Sequence, residues 1–232
     1  MKFIKDEQYL EFIKKRRIRK DKNLRQQIYR ILLDLITKGI LKPNTLLSEN
    51  KIALGFNVSK TPIREVIKRL EIDGLIKILP QSRTYVLPID KNKVNSSHKI
   101  REALEILLIE EAVNNANEDD FKIFDSLIEK QKIAVKNRNF DDFYEYDEAF
   151  HYQIAKSANL MDAWDILQKV KLHINRVRCM TRDDFNWNSK VIEEHINILK
   201  AIKSRDLGIA RLQMTLHLSR VSTVLEKVLI EK

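Results

Sequence analysis

Lys60, Arg64 and Lys68 stand four residues apart, a spacing that stacks three cations along one helical face. Ile63, Val66, Ile67 and Leu70 fall on the opposite face, as an apolar stripe with core-facing spacing. Ser59 or Thr61 can cap the start of this helix. Pro62 fits its first turn, where a missing N–H has no intrahelical partner. A helix packed on one side and cationic on the other suits the major groove of DNA, although many surface helices also carry three cations. A second group lies far downstream. Asp147 and His151 are also four apart, so one helix points both side chains the same way. Carboxylate plus imidazole is a metal-ligand pairing, but this pair alone describes ordinary surface residues as well.

The flanking residues position the cationic helix. Ser48-Glu49 opens a shorter helix with a capping hydroxyl and a carboxylate suited to the positive helix end. It runs through Lys51, Ile52, Ala53 and Leu54 and is expected to break at Gly55-Phe56-Asn57, with Val58 as an apolar anchor. Two short helices joined by a Gly-containing turn form a helix-turn-helix. Upstream, Leu24–Thr37 has helical apolar spacing and ends at Lys38-Gly39. Downstream, residues 75–79 and 84–87 flank Pro80-Gln81-Ser82-Arg83 and read as a β-hairpin with Arg83 at its tip. Together these elements make a winged helix.

Charge and turn-formers divide the chain. Residues 1–90 hold 20 Lys+Arg against 10 Asp+Glu, so the whole net charge of +10 lies there, and residues 91–232 are balanced. A basic domain joined to a neutral one fits a polyanion-binding module with a sensory or oligomerising partner. All four prolines and three of the four glycines precede residue 90. The remainder is expected to form long helices, because the strongest helix-breakers are nearly absent. The expected organisation is a basic N-terminal extension over 1–22, a winged helix-turn-helix over 23–90, a polar linker over 91–97 and an all-helical domain over 98–232.

That last domain reads as six helices, at roughly 97–116, 118–137, 140–157, 160–180, 189–204 and 207–231, with Asn139 and Asp206 as caps. The fold class is therefore mostly α, a winged helix-turn-helix followed by a six-helix bundle. In the extension, Tyr9, Leu10, Phe12 and Ile13 allow an amphipathic helix before the basic run 14–20, which reads equally as a solvated tail or a DNA-contacting arm. Lys5, Asp6, Glu7 and Glu11 interrupt any secretory h-region, and no run of about 18 apolar residues occurs, so the cytoplasm is the expected compartment and no membrane partner is expected. Cys179 is the only cysteine, which excludes an intramolecular disulfide and a cysteine-based zinc cluster.

The chain resembles the GntR family of bacterial transcription regulators. The residues that carry the resemblance are 47–53, 58–65, 70–75, and 80–82 through 84–86. The helical half, with Arg101 and Glu105 near its start, resembles the FadR-type ligand-binding (FCD) domain. The family implies a homodimer on a palindromic, double-stranded operator, with Ser59, Lys60, Thr61 and Arg64 at the base-reading and phosphate-contacting end of the recognition helix. Lys68 on the same face and Arg83 on the wing complete the expected contact set. Three residues depart from the family pattern. Lys60 stands for the usual arginine, which replaces a bidentate guanine contact by a point charge. Asn44 and Arg83 stand for usual glycines.

The resemblance also places Asp147, His151, His195 and His217 where FadR-type domains hold a metal. Neutral imidazoles and a carboxylate suit a divalent ion such as Zn²⁺ or Ni²⁺. Four such ligands leave one or two positions on an octahedral ion for water or for the carboxylate of a small organic acid effector. Arg101, Arg176 and Arg178 are the candidates for pairing a second carboxylate, and each reads equally as an ordinary ion-pair arginine. His98 and His173 match nothing in the pattern. The leading expectation is an effector-controlled regulator, more often a repressor in this family. A metal-dependent enzyme is the alternative, disfavoured because it leaves the basic winged helix unexplained. A third is a helical domain that serves only as a dimerisation scaffold.

Overall fold

The computed structural model describes residues 8–19, 23–79, 83–179 and 183–230. It divides into two compact units, residues 1–90 and 91–232.

The first unit comprises α1 (Tyr9–Lys15), α2 (Leu24–Thr37), β1 (Leu46–Leu47), α3 (Glu49–Phe56), α4 (Lys60–Ile72), β2 (Ile76–Leu79) and β3 (Arg83–Val86). The apolar stripe of α4, Ile63, Val66, Ile67 and Leu70, is buried against Ile28 and Leu32 of α2, Ile52 and Phe56 of α3, and Leu75, Ile76 and Val86. Each such side chain contributes about 1.5–3 kcal/mol of apolar burial, which fixes the opposite face of α4 outward. The sheet has the order β1-β3-β2 and is antiparallel throughout, with Tyr85 between Leu46 and Lys77 and with Leu79 opposite Arg83. β1 is a strand that the hairpin pattern does not reveal. The expected tip residues Pro80, Gln81 and Ser82 lie outside the described residues.

Local chemistry sets the helix ends. The Ser48 hydroxyl accepts from the Lys51 N–H and caps α3. The break expected at Gly55 lies later: Gly55 is helical, and Asn57 takes the left-handed C-cap at φ 52°. Asn44, standing for a family glycine, likewise adopts φ 67°, a conformation Asn tolerates better than other non-glycine residues. Ser59 occupies the N-cap of α4, but its side chain makes no capping bond.

The second unit comprises α5 (Lys91–Asn115), α6 (Glu118–Lys136), α7 (Phe140–Ser157), α8 (Met161–Arg178), α9 (Phe185–Lys203) and α10 (Leu207–Ile230). Residues 91–97 are a correction to the sequence reading: they form the first turns of α5 rather than a linker. Their polarity reflects the exposed side of a helix, since Val94 within them is fully buried. α6 packs on α7 and α9, α5 packs on α7, α8 and α10, and α9 packs on α10. Phe124, Phe143, Phe150, Leu167, Ile198, Ile202 and Met214 fill the shared core. Asn117, Asn139, Asp184 and Asp206 cap helix starts through side-chain oxygens. With glycine scarce, three tight helix–helix turns use Arg138, Asn159 and Arg205 at φ 55–57° instead.

Candidate functional site

Asp147 and His151 on α7, His195 on α9 and His217 on α10 are all buried, Asp147 and His195 completely. One ring nitrogen from each of the three histidines lies within 4.8 Å of the others. Nε2 of His151 and Nε2 of His217 are 3.2 Å apart, and Asp147 Oδ1 is 3.8 Å from His195 Nε2. The ordinary surface reading of the Asp147/His151 pair is thereby excluded.

The outer nitrogen of each ring faces an oxygen. His195 Nδ1 lies 2.9 Å from Gln131 Oε1, His217 Nδ1 lies 3.0 Å from Glu194 Oε2, and His151 Nδ1 lies 2.5 Å from Glu105 Oε2. Gln131 settles its own orientation, because its Nε2 donates to the Tyr146 carbonyl at 3.1 Å and leaves Oε1 to accept. An oxygen acceptor at Nδ1 puts the hydrogen there and leaves the Nε2 lone pair directed inward. Burial, and then the neighbouring His217, hold His195 well below the usual histidine pKa, so its imidazole is neutral. Burial lowers His217 too. Nε2 of His151 and Nε2 of His217 face each other at 3.2 Å, while His195 Nε2 and Asp147 Oδ1 are buried without a hydrogen-bond partner. Unpaired buried acceptors are destabilising, and a cation satisfies all of them together. The donor set fits a borderline divalent metal.

Asp147 is held in its ionised form by its neighbours. Burial alone would raise its pKa, but Arg178, whose Nη2 lies 2.5 Å from Oδ2, leads the charges that hold it far below the usual carboxylate range. Phe150 stacks on His195 with centroids 4.1 Å apart and fixes the ring plane. Arg101 donates to Glu105 at 2.7 Å, so the carboxylate facing His151 is itself anchored.

A cavity of about 30 Å³ adjoins this group, bordered by Asp147, His217, Arg101, Arg178, Arg220 and Trp187. Of the three arginines expected at an effector site, Arg101 and Arg178 border the cavity. Arg176 is buried but does not line it. Sequence reasoning missed Arg220, although it lies one helical turn beyond His217. It also missed Gln131 and Glu194; Glu194 was legible as the neighbour of His195, whereas Gln131 has no local signal. His98 and His173 are buried, but neither belongs to the three-histidine group.

In the first unit, the N-cap Ser59, Lys60, Thr61, Arg64 and Lys68 of α4, and Arg83 of β3 are all exposed. Arg64 Nε lies 3.1 Å from Glu49 Oε2, so the first helix of the motif steadies a cation of the second. Lys60 and Lys68 have no acidic partner among the described residues.

Residues 24–86 match the family "Bacterial regulatory proteins, gntR family", and residues 97–220 match the FCD domain. The chain is 34% identical over 197 residues to the HTH-type transcriptional repressor RspR of Escherichia coli K12, covering 85% of this chain and 86% of that protein. It is 27% identical over 177 residues to the gluconate operon transcriptional repressor of Bacillus licheniformis, covering 74% and 72%. The solved structure of E. coli McbR/YncC superposes with a TM-score of 0.76 at 20% identity over 88% of this chain and 97% of that one. A GntR-type regulator structure from Rhodococcus sp. RHA1 gives 0.70 at 18% identity over 87% and 97%. No helix among the described residues is long and apolar enough to cross a membrane.

Proposed function

The chain belongs to the gntR family of bacterial regulatory proteins and carries an FCD domain; from that premise we propose a homodimeric repressor governed by a small organic acid bound beside a divalent metal. That it is a DNA-binding transcriptional regulator follows from the family. Asp147, His151, His195 and His217 hold the metal, zinc or nickel by the softness of the donors. Once bound, the metal supplies a Lewis-acidic anchor for a carboxylate oxygen. Arg101, Arg178 and Arg220 border the adjoining cavity and neutralise the effector's remaining negative charge. The cavity is small, which selects short acids or requires side chains to move.

The observation that carries the reading is the convergence of three buried histidine nitrogens beside Asp147, with His195 Nε2 and Asp147 Oδ1 left unpartnered. Lys60, Thr61 and Arg64, with Ser59 beside them, read the operator, and Lys68 and Arg83 contact its backbone. The effector shifts operator affinity only by as much as it prefers one conformation of the protein. Two experiments test the proposal. Metal analysis of protein purified without chelator is expected to find metal in the wild type and little in His195→Ala or His217→Ala; equal content in all three refutes the site. A thermal-shift screen of small carboxylates is expected to give a metal-dependent stabilisation, and acids that act equally without metal refute the anchoring role.

A further inference from the structure

Residues 14–19 of the basic run before α2 are held in place, and Lys20 lies outside the described residues. α1 lies outside the matched family region, yet Tyr9 and Ile13 are buried in the core of the first unit. The Ser48 N–H at the start of α3 donates to the Tyr9 hydroxyl at 3.5 Å. At the far end of α3, Ile13 packs onto Gly55, where a Cβ would stand 2.9 Å from Ile13 Cγ2. α1 therefore runs alongside α3. The chain then follows α2 backwards: Arg16 pairs with Asp34 at 3.4 Å, and the Arg19 backbone exchanges hydrogen bonds of 2.9 and 2.8 Å with the Gln27 amide. This path ends near the start of α2, whose Arg25 pairs with Glu65 of α4 and whose Asn23 and Leu24 share a cleft with Ser59, Thr61 and Pro62. The run is thus led to the DNA-reading end of α4. Lys14, Lys15, Arg17 and Arg19 are exposed along it and have no acidic partner among the described residues.

We infer that Lys14, Lys15, Arg17 and Arg19 form a clamp on the phosphate backbone of duplex DNA, adding a second contact surface to that of the recognition helix. The first helix of such a motif crosses the DNA backbone, and α1 is docked on that helix. Four unpaired cations on an anchored segment match a regularly spaced polyanion, and their ordering cost is already met by Tyr9, Ile13 and Gln27. Such contacts carry affinity and register but no base preference.

The inference rests on the DNA-binding reading above, and the test separates the two. A 30-base-pair duplex of arbitrary sequence is titrated with the full chain by fluorescence anisotropy across a salt series. The comparison variant carries K14Q, K15Q, R17Q and R19Q, all exposed and fold-neutral, with circular dichroism as the check. Log affinity against log salt is expected to become shallower by about one for each cation that touches phosphate, and affinity at low salt to fall about tenfold or more. Unchanged affinity and slope in the variant, with the wild type binding normally, overturn the clamp while leaving the regulator reading intact. No binding of this duplex by the wild type even at low salt overturns the clamp, and the operator gel shift with Arg64→Ala then decides the regulator reading separately. A loss confined to single-stranded RNA or to phosphatidylglycerol vesicles also overturns it, because the cations then serve another polyanion.

Discussion

An imidazole can ligate a metal only through a nitrogen that bears no proton, so the atom opposite the metal decides whether a histidine is ready. At His195 that atom faces the Gln131 amide, whose own orientation is pinned by the Tyr146 carbonyl. Gln131→Leu should therefore weaken metal binding by about 10–100-fold while leaving all four proposed ligands in place, measured by competition with a calibrated chelator. Unaltered affinity would show that packing on Phe150 alone orients the ring. Glu194→Gln should act more mildly at His217, since a carboxamide oxygen still accepts from Nδ1. Part of this site was legible in the sequence: Asp147 and His151 share one helix face by spacing alone. Their union with His195 and His217 depends on how α7, α9 and α10 pack, and only the family resemblance anticipated it. Gln131 sits on yet another helix, and no local pattern marks it.

Helix ends and helix contacts depend on single residues in ways that composition conceals. Arg138 and Arg205 both sit in the left-handed region, which disfavours side chains with a Cβ by roughly 1–2 kcal/mol. Arg138 is exposed and makes no side-chain bond among the described residues, so Arg138→Gly should raise stability by about 0.5–1 kcal/mol in denaturant titrations. Arg205 also donates to the Val113 and Ala116 carbonyls at the end of α5. Arg205→Gly should instead destabilise, because carbonyls at that helix end lose their donors. If Arg205→Gly raises stability as Arg138→Gly does, the contacts of Arg205 are not worth their strain. Gly55 supplies a further case. Mid-helix glycine is disfavoured by about 1 kcal/mol against alanine, and here it leaves room for Ile13. Ile13→Ala removes a buried side chain and should destabilise by itself, but within that background Gly55→Ala should raise stability, whereas in the wild-type chain it should not, a coupling that a double-mutant cycle reads directly. The sequence suggested Gly55 as a turn residue because glycine most often punctuates chains. Its role in helix packing appears only once α1 is seen beside it, just as the polar residues 91–97 read as a linker until Val94 is found buried in α5.

At the scale of the molecule, each unit holds its own apolar core, and the regulator reading requires a coupling free energy between them. Such coupling is reciprocal for binding: an acid that lowers DNA affinity by some factor must itself bind more weakly by that factor once DNA is bound. Typical couplings of about 1–3 kcal/mol correspond to roughly 5–150-fold, well within calorimetric reach. The effector identified by thermal shift should therefore lose affinity for the metal-loaded protein when saturating operator duplex is added. The Arg64→Ala variant, expected to have lost specific operator binding in gel shifts, should show no such loss. Equal effector affinity with and without duplex would reduce the helical unit to a dimerisation scaffold that happens to bind an acid. Arg64 is the informative control because it belongs to the proposed DNA-reading helix, steadied by Glu49, and lies outside the proposed metal site. A change that follows its substitution must then pass through bound DNA rather than through the histidine cluster.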